Sequence, residues 1–314
     1  MHATEKSQLI LTLGGWDKRK VLSGMEVLHL PSHKQTESSR SMHTPRYEFG
    51  AAVDDNHVLL VVGGGRDKRK RLLDSLEVYH SGHQQWTTLT DTKLGSPKCG
   101  VSLVILDGRL YVLGGMDGSQ TSCRTMQVMD LQTKQWISRH ESGHAFCDMQ
   151  EGRAWFGAVV ANKEIHVFGG LDGDTQEDLN SVEIYNPHHN TWRYGCPMPT
   201  PRSHCTAATV HMTEGKAQLD LAVVVGGSFE GEFLRTVEAY HDDSWTRLPD
   251  LHFRRAGCGA FGIGKDLYVA GGAAGKFNVL DSMEKLARVQ KHLADGVEYY
   301  LHDGECVCVS CCLL

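Results

Sequence analysis

Short apolar runs that end in paired glycines recur along the whole chain. The runs are four or five residues long, as at 58–62 and 110–113. Runs of this length bounded by glycine are typical of buried β-strands. The pairs recur at intervals of 49, 51, 55, 57 and 45 residues, which predicts an array of six similar units. The pairs are Gly14-Gly15, Gly63-Gly64, Gly114-Gly115, Gly169-Gly170, Gly226-Gly227 and Gly271-Gly272.

Three further features recur between the glycine pairs. An alternating apolar-Glu-apolar-Tyr segment, as at 76–79 and 182–185, predicts a second strand. A tryptophan follows the tyrosine position by five or seven residues and marks the start of a third strand. A segment rich in glycine and alanine, as at 50–53 and 157–160, precedes the next pair and predicts a crowded innermost strand. Each period therefore predicts four strands.

This combination of features resembles the kelch repeat, whose four-stranded units form the blades of β-propellers. The resemblance covers residues 8 to 286. It implies an all-β fold, a six-bladed kelch-type β-propeller with four-stranded antiparallel blades. The blades are expected near residues 8–45, 46–97, 98–152, 153–201, 202–254 and 255–314.

The two ends of the chain are expected to depart from the repeat. Residue 8 already lies in the run that leads to the first glycine pair, so the first blade needs an innermost strand from elsewhere. The segment 305–314 is the candidate that closes blade 1 and removes an open sheet edge. The last blade is degenerate, because residues 285–294 have a spacing compatible with a helix and no tryptophan follows.

Composition supports one domain over residues 1–314. The chain is 40% hydrophobic and carries a net charge of −6, which suits a single propeller with a substantial core. It contains no long apolar run and no cationic leader, so neither a membrane span nor a secretory signal is predicted, and the predicted location is cytoplasmic. Six cysteines are spaced singly through the repeats and are interpreted as reduced thiols: Cys99, Cys123, Cys147, Cys196, Cys205 and Cys258.

A cation recurs at the start of each innermost strand, four residues before a small residue. In an antiparallel blade this point lies on the same face as the loop after the glycine pair, so the cations are expected around the mouth of the central channel. Arginine there suits the binding of carboxylates. The alternative is that each cation satisfies backbone carbonyls or glutamates between blades. The five residues are Arg46, Lys98, Arg153, Arg202 and Arg255.

The loops after the glycine pairs carry a second cluster of cations. Asp17-Lys18-Arg19-Lys20 reappears 50 residues later as Asp67-Lys68-Arg69-Lys70, with Arg66 and Arg71 on either side. In the fourth blade the same loop is acidic. Such a dipolar face would orient an acidic segment and speed its capture, whereas the alternative is a set of solvated loops without a partner. The candidate partner-binding residues are the five cations above together with Lys18, Arg19, Lys20, Arg66, Lys68 and Arg69.

Other chemistry receives little support from the sequence. Close histidine pairs lie at turns and lack a third ligand, and the cysteines at 306–312 do not form paired Cys-x2-Cys hooks, so no metal and no cofactor are expected. Residues 311–314 fit a prenylation box that would modify Cys311, an alternative to the closing strand. No nucleophile or phosphate-binding motif recurs, so the protein is predicted not to be an enzyme.

The kelch resemblance implies a protein-interaction module whose partner binds on the loop face. The predicted partner is an acidic peptide or loop of another protein, either for substrate recognition in ubiquitin ligation or for scaffolding. An actin-associated cytoskeletal protein is the alternative, and a kelch-propeller enzyme ranks third. Nucleic acid is not an expected partner, because the chain is acidic overall. Direct cullin binding is not expected either, since kelch-like adaptors reach cullin through a BTB domain and this sequence starts in a propeller strand.

Overall fold

The first two repeats fold into two antiparallel sheets. The computed structural model describes residues 8–30, 34–38, 40–54, 59–137, 146–214, 217–275, 278–286, 289 and 299–301. The first sheet has three strands, β1 (Gln8–Trp16), β2 (Val21–Leu30) and β3 (Lys34–Ser38). The second has four, β4 (Gly50–Val53), β5 (Leu59–Gly63), β6 (Leu73–His80) and β7 (Gln85–Lys98).

Four more sheets follow, each with four main strands that pair in chain order. The third is β8 (Ser102–Leu106), β9 (Arg109–Leu113), β10 (Met126–Asp130) and β11 (Gln135–Trp136). The fourth is β12 (Gly157–Ala161), β13 (Glu164–Phe168), β14 (Val182–Asn186) and β15 (Thr191–Gly195). The fifth is β16 (Thr206–Glu214), β17 (Ala217–Val225), β20 (Val237–His241) and β21 (Ser244–Leu248), with a small hairpin β18 (Ser228–Phe229) and β19 (Glu232–Phe233). The sixth is β22 (Gly259–Ile263), β23 (Asp266–Ala270), β24 (Met283–Leu286) and β25 (Tyr299–Leu301).

The sheets are the blades of a propeller. The innermost strands β4, β8, β12, β16 and β22 contact one another in that order, so successive repeats are neighbours in space. Apolar clusters fill the space between neighbouring blades, because alternate side chains of each strand point to opposite faces of its sheet. Leu28 of the first sheet packs against the cluster around Tyr268 of the last, which brings the two ends of the array together.

The predicted all-β propeller with antiparallel four-stranded blades is confirmed, but among the described residues five blades are four-stranded where six were predicted. The described residues form five four-stranded blades, and the first repeat has three strands. Among the described residues the first repeat contributes no innermost strand of its own, in line with its sequence. The closing segment 305–314, the prenylation candidate Cys311 and most of the suggested helix at 285–294 lie outside the described residues.

The glycine pairs adopt a left-handed backbone after the second strand of each blade. In the second blade the equivalent pair is Gly64-Gly65, with φ of 67° and 92°, and Gly63 belongs to β5. The predicted pair Gly63-Gly64 is therefore one residue out of register. A left-handed φ is accessible to glycine without a steric penalty, which explains the composition of these turns.

Tryptophans tie the third, fourth and fifth blades to the preceding blade. The indole N–H groups of Trp136, Trp192 and Trp245 donate to backbone carbonyls of Lys93, Cys147 and Cys196, at 2.8, 2.9 and 2.9 Å. Each acceptor lies in the outer part of the preceding repeat. The recurrent tryptophan is thus an element of blade packing, as is usual for an amphipathic ring with one polar atom.

Candidate functional site

One face of the propeller gathers the loops that enter the innermost strands and the loops that follow the glycine pairs. Isolated antiparallel bridges join these two loops in the second to sixth repeats, for example Tyr47 with Arg66 and Ala154 with Leu171. The loop face is defined here as these two sets of loops. The hairpins between the other strand ends lie on the opposite face.

Four of the predicted channel-mouth cations are buried inside the blades. Arg46, Arg153, Arg202 and Arg255 are each 0% exposed. Each guanidinium reaches a glutamate of its own repeat, at 2.6 Å for Glu77 and 2.8 Å for Glu183. The prediction that these four side chains contact a partner is inconsistent with this burial. The alternative, in which arginine satisfies glutamates and backbone carbonyls, describes the contacts observed.

The arginine contacts repeat from blade to blade. In the fourth blade Arg153 donates to the Gly169 carbonyl at 2.6 Å, the Ser181 hydroxyl at 3.0 Å and the Glu183 carboxylate at 2.8 Å. Glu183 also accepts the backbone N–H groups of Gln150 and Glu151, at 2.7 and 3.1 Å. One ion pair therefore holds the strand entry, the glycine turn and the second strand of the blade together. Burial lowers the pKa of Arg46 and of Arg202, while the paired glutamate opposes the shift.

The backbone of the same cation joins neighbouring blades. The second glycine of each pair donates its N–H to the carbonyl of the next repeat's cation, at 2.9 Å for Gly15 to Arg46 and at 2.8 Å for Gly65 to Lys98. The same bond links Gly115 to Arg153, Gly170 to Arg202 and Gly227 to Arg255. Sequence reasoning located these residues but assigned them to the surface.

The third blade replaces both partners of the ion pair. Lys98 is 5% exposed and donates to the Thr125 hydroxyl at 2.9 Å. Gln127 stands where the other blades have glutamate, and it accepts the Gly95 N–H at 3.3 Å. The joint change from Arg and Glu to Lys and Gln was visible in the aligned repeats, and it pointed to a contact between the two positions.

The basic loops of the first two blades are exposed and turned outward. Asp17 accepts the N–H groups of Arg19 and Lys20, at 3.0 and 2.8 Å, and these bonds hold the pKa of Asp17 below its ordinary value against the effect of burial. Asp67 accepts the N–H groups of the equivalent second loop in the same way. These Asx turns place the side chains of Lys18, Arg19, Lys20, Lys68, Arg69 and Lys70 in solvent. Within the described part of the chain, none of the six forms a side-chain ion pair.

Arg66 belongs to a separate, partly buried cluster. Its guanidinium donates to Glu48 at 2.8 Å. Burial raises the pKa of Glu48 against the pull of Arg66, and burial raises the pKa of the neighbouring Cys99 to about 12. Arg66 therefore forms an ion pair with a carboxylate inside the protein, unlike the six exposed cations.

The opposite part of the loop face is acidic. The fourth-blade loop holds its turn through Asp172, whose carboxylate accepts the Asp174 N–H at 2.8 Å. Asp174 and Glu177 are exposed. The fifth-blade hairpin adds exposed Glu230, which the sequence analysis missed, whereas exposed Glu232 is paired with Arg254 at 3.0 Å. The first two blades and the fourth and fifth are separated by the third on one side and the sixth on the other.

An inner ring of strained residues was also missed. Glu48, Trp155 and His204 have φ of 55°, 53° and 51°, each two residues after its repeat's cation. Trp155 stacks on His204 with centroids 4.9 Å apart. Glycine occupies the matching positions of two other repeats, at Gly100 and Gly257, and this was the signal available in the sequence. A left-handed backbone at non-glycine residues marks a site that the surrounding structure holds in place.

In the part of the chain that the structure describes, no three His, Cys, Asp or Glu side chains are grouped to hold a metal ion. No helix there is long and apolar enough to cross a membrane. The six cysteines interpreted as thiols form no disulfide within the described residues.

Comparison with known proteins assigns the repeat. Residues 1–214 match the family model described as the KLHDC2/KLHL20/DRC7 Kelch-repeats domain. The chain belongs to the kelch-repeat family. It is accordingly a kelch propeller, a protein-interaction module. The solved structure of YjhT is similar in fold, with a TM-score of 0.70 at 14% sequence identity, and the match covers 93% of this chain and 96% of that chain.

Curated kelch relatives are longer than this chain. Spermatocyte protein spe-26 of Caenorhabditis elegans is 25% identical over 79% of this chain and 41% of its own length. Kelch-like protein 35 of Mus musculus is 26% identical over 78% of this chain and 40% of its length. Alpha-scruin of Limulus polyphemus is 27% identical over 68% of this chain and 23% of its length. The chain thus spans about two fifths or less of these relatives.

Proposed function

We propose that this kelch propeller binds an acidic segment of a partner protein on the basic loops of its first two blades. The observation that carries the proposal is the set of six exposed cations with no ion-pair partner among the described residues. A cation that is already paired within the protein contributes little affinity to a partner. A cation without an internal pair is available to a carboxylate of the partner. The buried arginines take no part in this contact.

The acidic loops of the fourth and fifth blades would orient a bound acidic segment toward the first two blades. Two basic loops on one side of the channel and acidic loops on the other give the face a dipole, although the whole chain carries only −6. Such a field attracts an acidic segment to one sector and repels it from the other. The third blade carries Asp117-Gly118-Ser119 at the same place and separates the two sectors on one side.

Substrate recognition for ubiquitin ligation is the role we favour, and an actin-associated scaffold is the alternative. The curated relatives include the Kelch repeat and BTB domain-containing protein 1 of Ectromelia virus, of which the match covers 39%. We place the protein in the cytoplasm and assign it no catalytic activity. The two roles are distinguished by the proteins that are captured together with this chain.

Affinity capture tests the proposed surface. Lys18, Arg19, Lys20, Lys68, Arg69 and Lys70 are changed together to Ser, and captured proteins are quantified by mass spectrometry. We expect loss of the partners that wild type captures, with the strongest loss for those with acidic segments. Capture of ubiquitin-ligase subunits supports the first role, and capture of actin supports the second.

The matched control changes three exposed lysines on the opposite face, Lys134, Lys163 and Lys265, to Ser. Lys134 and Lys163 share the left-handed backbone of Lys18 and Lys70, so the steric effects are comparable. With a purified partner, the association rate of wild type should fall steeply with added salt and that of the loop variant should not. Equal capture by the loop variant and wild type contradicts the proposal.

A further inference from the structure

The loop face carries opposite charges on opposite sides of the channel, and both sets have side chains without a partner in the described chain. The six cations of the basic loops form no side-chain ion pair there. The same is true, among the described residues, of three exposed carboxylates in the blades across the ring: Asp174 and Glu177 in the fourth and Glu230 in the fifth. Each sector therefore presents charge that is available to a second molecule.

The three carboxylates are held together as one sector. Asp178, in the fourth-blade loop, accepts the backbone N–H of Glu230 at 3.2 Å, which ties the fifth-blade hairpin to that loop. The turn at Asp172 fixes the segment that carries Asp174. Two connected loops therefore present the acidic side chains, just as the loops of two adjacent blades present the basic ones.

The order of the blades makes the loop face complementary to a copy of itself. In a ring of six repeats the first lies opposite the fourth, and the second lies opposite the fifth. A two-fold axis in the plane of this face, running from the third blade to the sixth, exchanges the first blade with the fifth and the second with the fourth. The basic loops of each copy then meet the acidic loops of the other. A closed dimer requires this kind of self-complementary surface.

The two blades on this axis each face their own copy, so an exposed charge there would meet a like charge. The exposed side chains at the tip of the third-blade loop are uncharged, namely Ser119, Gln120 and Thr121. Asp117, below them, accepts the Ser119 N–H at 2.9 Å within its own turn. The described tip of the sixth-blade loop is Ala274 and Gly275. The described tips of both loops therefore tolerate a copy of themselves.

An exposed aromatic side chain lies on the loop face of the sixth blade. Phe253 belongs to the loop that enters β22, and 39% of the residue is exposed. Because the sixth blade faces its own copy across the axis, the rings of the two copies come to the same part of the interface. Aromatic side chains are favoured at protein interfaces, and this pair adds apolar contact to the charged loops.

We propose that two copies of this chain associate loop face against loop face about this axis. The association rests on the same exposed basic loops as the proposed function, and it adds a role for the acidic sector. Each copy carries a net charge of −6, but the screening length at about 0.1 M salt is about 10 Å. Whole copies therefore repel each other weakly, while charges in contact still attract. Exposed ion pairs contribute little each, so the dimer is weak and sensitive to salt.

Sedimentation of the purified chain over a range of concentrations tests the association. We expect a monomer–dimer equilibrium at about 0.1 M salt. The Kd of the dimer should rise at least about tenfold at about 1 M salt, where the screening length falls to about 3 Å. A chain that remains monomeric up to about 1 mM at the lower salt concentration overturns the proposal.

Reversal of charge distinguishes this pairing from any other dimer. The acidic-loop variant carries Asp174→Lys, Glu177→Lys and Glu230→Lys. The basic-loop variant carries Arg19→Glu, Lys20→Glu, Lys68→Glu and Arg69→Glu. Each variant alone should dimerise at least about tenfold more weakly than wild type, because like charges then meet. An equimolar mixture of the two should form a heterodimer, since each sector again meets the opposite charge, and this recovery also shows that both variants are folded.

The matched control places negative charge on the opposite face, with Lys134→Glu, Lys163→Glu and Lys265→Glu. It lowers the net charge by six, whereas the basic-loop variant lowers it by eight, and it should leave the Kd of the dimer within about threefold of wild type. Dimers that persist in both loop variants, or loop variants that do not associate with each other, overturn the proposal.

Failure of the dimer and failure of the proposed function give different results. The acidic-loop variant keeps every basic side chain, and because its loop face is not covered by a second copy it should capture acidic partners at least as well as wild type. A monomeric wild type whose partners are lost only in the basic-loop Ser variant overturns the dimer and leaves the proposed function in place.

Discussion

A buried arginine joins three stretches of its own repeat in four of the blades. In the fourth blade the ion pair between Arg153 and Glu183 is wholly enclosed. Desolvation of two charges offsets much of their attraction, so the pair is better understood as a device that specifies geometry than as a large source of stability. Removing one partner is costly, because the remaining charge is then poorly compensated; Arg153 would keep only the partly exposed Glu151, at 3.0 Å.

Breaking this pair should destabilise the protein strongly. We expect Glu183→Gln to lower the free energy of unfolding by about 3 kcal/mol, at the low end of the cost of breaking a buried pair, because Glu151 remains 3.0 Å from Arg153. Arg153→Lys combined with Glu183→Gln reproduces the third blade and should recover part of that loss. Urea denaturation of the two single variants and the double variant gives the coupling energy.

Glu177→Gln, in an exposed loop, is the control for this cycle and should change stability by less than about 0.5 kcal/mol. Strict additivity of the two buried changes is the result that argues against a direct Arg–Glu contact. The third blade is a natural instance of the double change, since Lys98 and Gln127 occur together.

His204 makes stability depend on pH. Burial lowers its pKa from 6.5 to about 3, so the unfolded chain binds a proton at pH values where the folded chain does not. Stability is therefore present above the unfolded pKa and falls as pH drops below 6.5. At about pH 5 the loss attributable to this histidine is about 2 kcal/mol relative to neutral pH.

His204→Asn should flatten this dependence. Asparagine tolerates the left-handed backbone at this position and does not titrate. The variant should be less stable at neutral pH, because it loses the stacking on Trp155. Its unfolding free energy, measured by urea at about pH 7.5 and about pH 5, should fall less between the two than that of wild type. An unchanged slope contradicts the assignment.

At the scale of the element, the glycine turn is where neighbouring blades approach most closely. Gly170 has a φ of 106°, and a Cβ there would lie 2.9 Å from the Ala154 carbonyl oxygen. Gly108, in a hairpin on the other face, has a φ of 71° with open space around it. Both glycines need a left-handed backbone, but only Gly108 has space for an added Cβ atom.

Gly170→Ala should therefore cost more than Gly108→Ala. The hairpin variant should lose about 1 kcal/mol from its left-handed backbone alone. The turn variant adds a contact with backbone that cannot move away cheaply, and we expect at least about 1 kcal/mol more. Thermal and urea unfolding compare the two, and equal losses would show that the close approach is relaxed.

Strand positions were largely predictable from sequence, because burial repeats with the period of the strand. The apolar run, the Glu-x-Tyr segment and the tryptophan each fall in a strand. The error at Gly63 arose because three consecutive glycines leave the register of the pair open. The backbone selects Gly64-Gly65, whose first carbonyl accepts from Arg46 at 3.1 Å.

At the scale of the whole molecule, ring geometry turns charges that are scattered along the chain into sectors. Loops 50 residues apart become neighbours in adjacent blades, and acidic loops more than 100 residues away lie across the channel. The net charge of the chain does not show this separation of positive and negative loops. The basic and acidic sectors of the loop face follow from the order of blades around the ring.

The repeat, its strands and the identity of the residues at equivalent positions are properties of local pattern, since backbone periodicity and turn chemistry act over a few residues. Whether a recurrent arginine faces solvent or a glutamate depends on how strands separated by about thirty residues pack, and no local pattern carries that information. The exposed loop cations were recognisable early because Asx turns are local. The burial of the arginines and the stacking of Trp155 on His204 required the assembled blades, because each depends on contacts between segments distant in the chain.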